Sequence, residues 1–294
     1  MRGVREAALV SNLFTIGKLA PLVLFVIVGL FFLSTAQFTA PAAPSYSNFS
    51  TAVLLLVFAF SGFEMAVIPS GELRDPRRDI AFGLLTATGV VVLLYVLIQI
   101  VCIGTLPGLA SSERPLVDAS RRFLGTAGAS LISLGAMISL TGTLNTIMLA
   151  GPRLLFAMAQ QGELPQSLAL THRRFRTPFI AILLTAVIVL VLTLQGTFIS
   201  ALTISTVIRL LAYLATCLAL PVLRFSSDAP APQFRAPAGI AVAVAAILLS
   251  VWLLSNSSWH DALAAGLAAA LGLLIFFAYR LTKKSACATS KSDA

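Results

Sequence analysis

Charge is scarce in this sequence. Asp, Glu, Lys and Arg make up 11% of its 294 residues and hydrophobic residues 58%, whereas a soluble domain carries roughly 25% charged residues. Histidine occurs only at His172 and His260, both in connections between apolar runs. No imidazole is therefore placed inside an apolar run to act as a metal ligand or general base. The three cysteines, Cys102, Cys217 and Cys287, have neither metal-site spacing nor a paired framework. No apolar run carries a His-x-x-Glu-His pattern or paired carboxylates, which argues against a membrane enzyme. The expectation is a protein with no cofactor and no metal.

Long apolar runs are what the sequence has instead. Leu22–Leu33 extends a stretch that starts near Leu13, and Ala81–Gly104 holds no charge at all. Eighteen or so uncharged apolar residues are the mark of a transmembrane helix. The first run is too long for a cleavable signal and lacks a small-residue cleavage site, so it is expected to remain as a span. The pattern predicts an all-α polytopic membrane protein of about eight transmembrane helices, near 13–34, 51–72, 81–105, 125–158, 177–195, 198–224, 237–255 and 261–280. A short cytoplasmic segment, 1–12, precedes this transmembrane region of 13–280, and a basic, polar and disordered tail, 281–294, is expected to follow it.

The net charge of +9 does not imply nucleic acid, because the basic residues sit between the spans and not along one soluble face. With the N-terminus inside, fifteen of the twenty Lys and Arg fall in inner connections and span ends, and three (Arg114, Arg121 and Arg122) fall outside. Positive residues concentrate on the cytoplasmic side. Both termini are thus expected in the cytoplasm, with the protein in the plasma (inner) membrane and the lipid bilayer as its main partner.

The second span is interrupted. Thr51–Phe60 is largely apolar, and then Ser61, Gly62, Phe63 and Glu64 break the run. A carboxylate near the bilayer centre costs on the order of 3 kcal/mol on insertion scales, so such residues face a cavity or a partner. Gly62 just before it points to a discontinuous helix, whose freed N–H and C=O groups suit a solute's carboxylate and ammonium. The alternative is a kinked packing helix with a snorkelling or protonated Glu64. Arg209, midway along the sixth span, also needs a partner, and Glu64 is the acid at comparable depth. The two are expected to pair across the solute pathway, unless Arg209 lies nearer the outer interface and snorkels.

These residues carry a family resemblance. Phe58–Glu64 followed by Gly71–Arg78 resembles helix six of the amino acid–polyamine–organocation (APC) superfamily, where an aromatic-rich stretch unwinds at a glycine and an acidic motif marks the cytoplasmic end. Gly151–Pro165 resembles that family's signature after helix eight. Arg2–Val4 with Asn12–Gly29 resembles its entry into helix five, and Arg209–Arg224 resembles its helix ten. The matches run in order along nearly the whole chain.

The resemblance implies a transporter of amino acids or amines, proton-coupled or exchanging, working by alternating access. Its fold would be a partial leucine-transporter-like inverted repeat, corresponding to family helices five to twelve. A missing N-terminal half or partner chain is then an expected partner, and a truncated or regulatory fragment is the alternative function. Phe58, Ser61, Gly62, Phe63 and Glu64 are implied at the substrate site, with Phe58 as the aromatic that closes over the solute. Lipid or core packing is the competing role for Phe58, and close helix contact for Ser61 and Gly62. Lys18 matches a lysine that stands in for an ion in proton-coupled relatives, and snorkelling is its alternative. Ser139 and Thr143 are implied at the same ion-like site, against a role as interhelical packing groups. Glu72, Asp75 and Arg153 are expected to be structural, at the inner ends of two spans.

Overall fold

The computed structural model describes residues 4–38, 45–67, 76–173, 175, 177–195, 198–225, 238–256 and scattered helical positions between 263 and 279. Among them the chain forms seven helices: α1 (Val4–Gly29), α2 (Tyr46–Phe60), α3 (Pro76–Thr105), α4 (Pro115–Gln160), α5 (Phe179–Gln195), α6 (Phe198–Phe225) and α7 (Gly239–Ser255). Glu72 and Asp75 lie outside the described residues, as do part of the expected last span and the whole 281–294 tail.

Among the described residues, five helical stretches are long and apolar enough to cross a membrane: Leu9–Phe32, Tyr46–Ala66, Arg78–Thr105, Pro115–Gln160 and Ile204–Phe225. Helices α5 and α7 are each 17 residues long. At 1.5 Å per residue such a helix reaches about 25 Å, close to the thickness of the hydrocarbon layer. Large apolar side chains point outward along these helices, as at Leu183, Val187, Leu190 and Leu194 of α5. A surface of this kind requires lipid rather than water around it. The chain is an all-α, multi-pass membrane protein.

Several helices start before the expected spans, α2 at Tyr46 and α3 at Pro76 among them. Helix α1 begins at Val4, so residues 4–12 are helical and continuous with the first span. Helix α4 begins at Pro115 but is interrupted at Gly125, with φ 65° and ψ −155°. That conformation is essentially restricted to glycine. The ten residues before it form their own helical segment, and the expected span from 125 starts at the break.

The chain divides into two compact units. The first comprises Met1–Ala43, Ile80–Ala150 and Arg173–Thr177. Its core joins Phe25 and Val26 of α1, Val101 and Cys102 of α3, Leu106, and Ala119 and Ile132 of α4. The Phe123 ring lies 5.4 Å from Phe25 and 5.8 Å from Phe32. Helices approach closely where side chains are smallest. A Cβ placed on Gly29 would lie 2.3 Å from Val101, one on Gly142 2.9 Å from Phe14, and one on Gly135 3.1 Å from Pro21. In lipid, where no hydrophobic force drives helices together, such close contact is the main source of association.

The second unit comprises Pro44–Asp79, Gly151–His172 and Pro178–Ala294. Helices α6 and α7 pack together, and α2 contacts both. At one end of α2 the Trp252 indole donates to the Tyr46 hydroxyl at 2.8 Å, and its ring is flanked by Tyr46 and Phe49. The signature segment Gly151–Pro165 forms the end of α4 and its stop. Gly162 adopts φ 76°, Glu163 N–H bonds Met158 C=O and Gly162 N–H bonds Ala159 C=O. This is a Schellman-type cap. Ala159, Leu168 and Ala181 form a small core beneath it.

Candidate functional site

The site is built on the end of α2. Phe60 is the last helical residue. Ser61 then turns extended at φ −73° and ψ 162°. Its N–H and its hydroxyl both return to the Phe58 carbonyl, at 3.0 and 2.6 Å. Gly62 follows in the left-handed region, with φ 108° and ψ −14°. A side chain disfavours that region, whereas glycine enters it freely. The chain then forms a single 3₁₀ turn over Phe63–Ala66. The helix is therefore discontinuous at the position anticipated from Gly62.

The turn places Glu64 beside the break. One carboxylate oxygen, Oε2, accepts the Gly62 N–H at 2.9 Å and the Tyr213 hydroxyl at 3.3 Å. The other, Oε1, lies 2.8 Å from Nη1 of Arg209. Arg209 and Tyr213 are four residues apart on α6, one helical turn, so both project toward the break from one face. The Phe63 ring stacks on Tyr213 with centroids 5.6 Å apart and planes at 23°. The side chains of Arg209 and Glu64 are 27% and 29% exposed. The pair thus sits at the edge of packed protein, neither sealed in the core nor free on the surface.

The donors and acceptors of this cluster are unevenly used. An ionised carboxylate offers about four lone-pair sites, and a guanidinium offers five N–H donors. Three groups already face the two oxygens of Glu64. Arg209 Nη1 is buried and meets Glu64 Oε1 at 2.8 Å, and the Arg209 side chain also interacts with the Tyr213 hydroxyl. The carboxylate is close to saturated, whereas the five N–H donors of the guanidinium outnumber its contacts with Glu64 and Tyr213.

The structure brings together Ser61, Gly62, Phe63, Glu64 and Arg209, with Phe58 half-buried one turn earlier. It differs from the simplest sequence reading in one respect. The Ser61 and Gly62 N–H groups, expected to be free for a solute, are held by the Phe58 carbonyl and the Glu64 carboxylate. Tyr213 was missed as a site residue, although its four-residue spacing from Arg209 was available in the sequence.

Lys18, Ser139 and Thr143 belong to the first unit. Lys18 is half-buried on α1. On α4 the Thr143 hydroxyl donates to the Ser139 carbonyl at 3.0 Å, and Thr141 and Thr146 bond in the same way to Met137 and Gly142. These hydroxyls satisfy their own helix, as serine and threonine commonly do in apolar surroundings. Arg153, at the start of the signature segment, is engaged by neighbouring groups. Among the described residues no group of three His, Cys, Asp or Glu side chains is arranged to hold a metal ion.

Comparison with known proteins shows the family to which the chain belongs. A methylthioribose transporter of Bacillus subtilis (strain 168) is 27% identical over 282 residues, covering 95% of this chain and 60% of the relative. The serine/threonine exchanger SteT of the same organism is 29% identical over 279 residues, covering 92% and 63%. The arginine/ornithine antiporter of Pseudomonas aeruginosa is 32% identical over 179 residues, covering 57% and 37%. The chain thus spans less than two thirds of the length of these relatives. The amino acid permease family profile matches residues 1–277, and the chain belongs to that family, within the APC superfamily.

Proposed function

We propose that this chain takes part in amino acid transport across a membrane, with the solute held at the break between α2 and its 3₁₀ turn. The observation that carries the proposal is Glu64. It is an acid placed in an apolar helix at a left-handed glycine, and its carboxylate caps the amide that the break exposes. A solute carboxylate entering the break competes with Glu64 for the Gly62 N–H, and the solute ammonium meets the faces of Phe58 and Phe63. Attraction between an ammonium and an aromatic ring contributes roughly 0.5–2 kcal/mol. Exchange of Glu64 between these partners couples solute arrival to rearrangement of the break.

Proton coupling or exchange would draw on Lys18, Ser139 and Thr143, the positions that match the family's ion-like site. The protein would lie in the plasma membrane with both termini cytoplasmic, a reading supported by the distribution of Lys and Arg. The names of the relatives span a sugar derivative, serine and threonine, and arginine and ornithine, so the family alone does not select the solute.

The test uses the purified chain in two assays. Binding of radiolabelled amino acids is measured in detergent, and uptake is measured after reconstitution into vesicles. Saturable binding that Glu64→Gln tightens by roughly tenfold or more is the expected result, since a charged acceptor holds its donor by about 1.5–3 kcal/mol and its loss removes the competitor for the Gly62 N–H. Unchanged binding in the variant, or no binding of any amino acid, refutes the proposal.

A further inference from the structure

We infer that the solute carries no net positive charge: the site takes a zwitterionic amino acid and rejects cationic amino acids and polyamines. The inference rests on the transport reading above and adds the charge class of the solute. An acid in the middle of a span would by itself suggest a receptor for an extra cation. Here that role is already filled from within the protein. Arg209 lies 2.8 Å from Glu64, and the pair has no net charge.

Two further observations point the same way. The Glu64 oxygen that does not face Arg209 is occupied by the Gly62 amide and the Tyr213 hydroxyl. A second ammonium or guanidinium would have to displace one of these contacts and would lie beside Arg209. Like charges at short range in a poorly solvated site repel by several kcal/mol at an effective dielectric of about 20. The guanidinium of Arg209, in contrast, carries five N–H donors, more than its contacts with Glu64 and Tyr213 use. The cluster is rich in donors and poor in acceptors. It fits an oxygen of the solute, either its carboxylate or a side-chain oxygen, better than a further positive group.

The four residues that carry the inference, Gly62, Glu64, Arg209 and Tyr213, are held within one compact unit of the chain. Their arrangement does not depend on the position of α1 or α3. The Phe63–Tyr213 stack fixes the hydroxyl that occupies Glu64 Oε2, so the acid stays engaged while Arg209 keeps donors to offer.

The experiment is competition binding on the full chain in detergent with serine, leucine, arginine, ornithine and putrescine, read by thermal shift and by displacement of a labelled neutral amino acid. Wild-type protein is expected to bind serine or leucine and to bind arginine, ornithine and putrescine at least about tenfold more weakly, given the size of the charge repulsion. Equal binding of serine and leucine identifies the solute carboxylate as the oxygen that Arg209 meets. Preference for serine identifies a side-chain oxygen, and both results support the inference. In Arg209→Gln the freed Glu64 should raise the relative affinity for cations by roughly tenfold or more, and Glu64→Gln combined with Arg209→Gln should abolish that gain.

Cations binding to wild-type protein as tightly as neutral amino acids would overturn the charge class and leave the transport reading intact. An absence of all binding would overturn both. The wild-type comparison decides the matter even if the Arg209 variant does not fold.

Discussion

Gly62 shows how much one residue determines here. Its φ of 108° ends α2, turns the chain and sets its own N–H toward Glu64. A Cβ at this position would meet nothing within 4 Å, so any effect of substitution comes from backbone strain and not from a clash. Gly62→Ala is expected to lower stability by about 1–2 kcal/mol, the cost of the left-handed region for an L-residue. Asn, which tolerates that region, should recover part of the loss. Melting curves of the three proteins check this, and equal melting of wild type and the Ala variant would show that the break does not need the left-handed turn. Glu64 illustrates the other side of the residue scale. Its depth and its need for a partner follow from its type and position, but its partners Gly62 and Tyr213 depend on a turn only two residues long.

At the scale of elements, the helices of the first unit meet through glycine. Gly29 on α1 leaves room for Val101 on α3, a fully buried side chain, and the Phe123 ring lies nearby. Gly29→Ala would force its Cβ to 2.3 Å from Val101. Overpacking of this kind destabilises by about 1–3 kcal/mol. Combining Gly29→Ala with Val101→Ala should restore part of the loss, because the clash goes while a smaller packing defect remains. A double-mutant cycle on thermal stability tests the contact, and strictly additive effects would argue that the two residues do not touch. The break at Gly125 is the same principle applied to direction. A backbone conformation open to glycine lets the helical segment before it and the long helix after it follow one another directly yet meet at a kink.

At the scale of the molecule, the asymmetry of Lys and Arg predicts that both ends face the cytoplasm. Single cysteines placed in a background lacking Cys102, Cys217 and Cys287 test it. Ser111→Cys, between α3 and α4, should react with an impermeant maleimide in intact cells. Gln166→Cys, after α4, should react only once the membrane is opened. Both positions are exposed, so differences in labelling report sidedness and not burial. Labelling of Gln166→Cys in intact cells would reverse the assigned orientation.

The membrane class, the helical architecture and the interrupted second span were legible in the sequence. Each follows from local quantities: the length of apolar runs, the absence of charge within them, and a glycine beside an acid. The family motifs around Gly151–Pro165 were legible for the same reason, since a cap such as that at Gly162 is made within a few residues. Span ends were less so, because α2 begins at Tyr46 behind the Ser45 cap and α3 begins at Pro76, where caps and not hydropathy decide. Arg209 and Glu64 could be proposed as partners from depth alone. Tertiary structure decided that they stand 2.8 Å apart, that Tyr213 joins them, and that Glu64 already occupies the amide which the break frees. Those contacts link residues about 149 positions apart in the chain. Hydropathy and spacing act over a helical turn or a span, while the saturation of one carboxylate and the spare donors of one guanidinium depend on where the packing of α2 against α6 brings them.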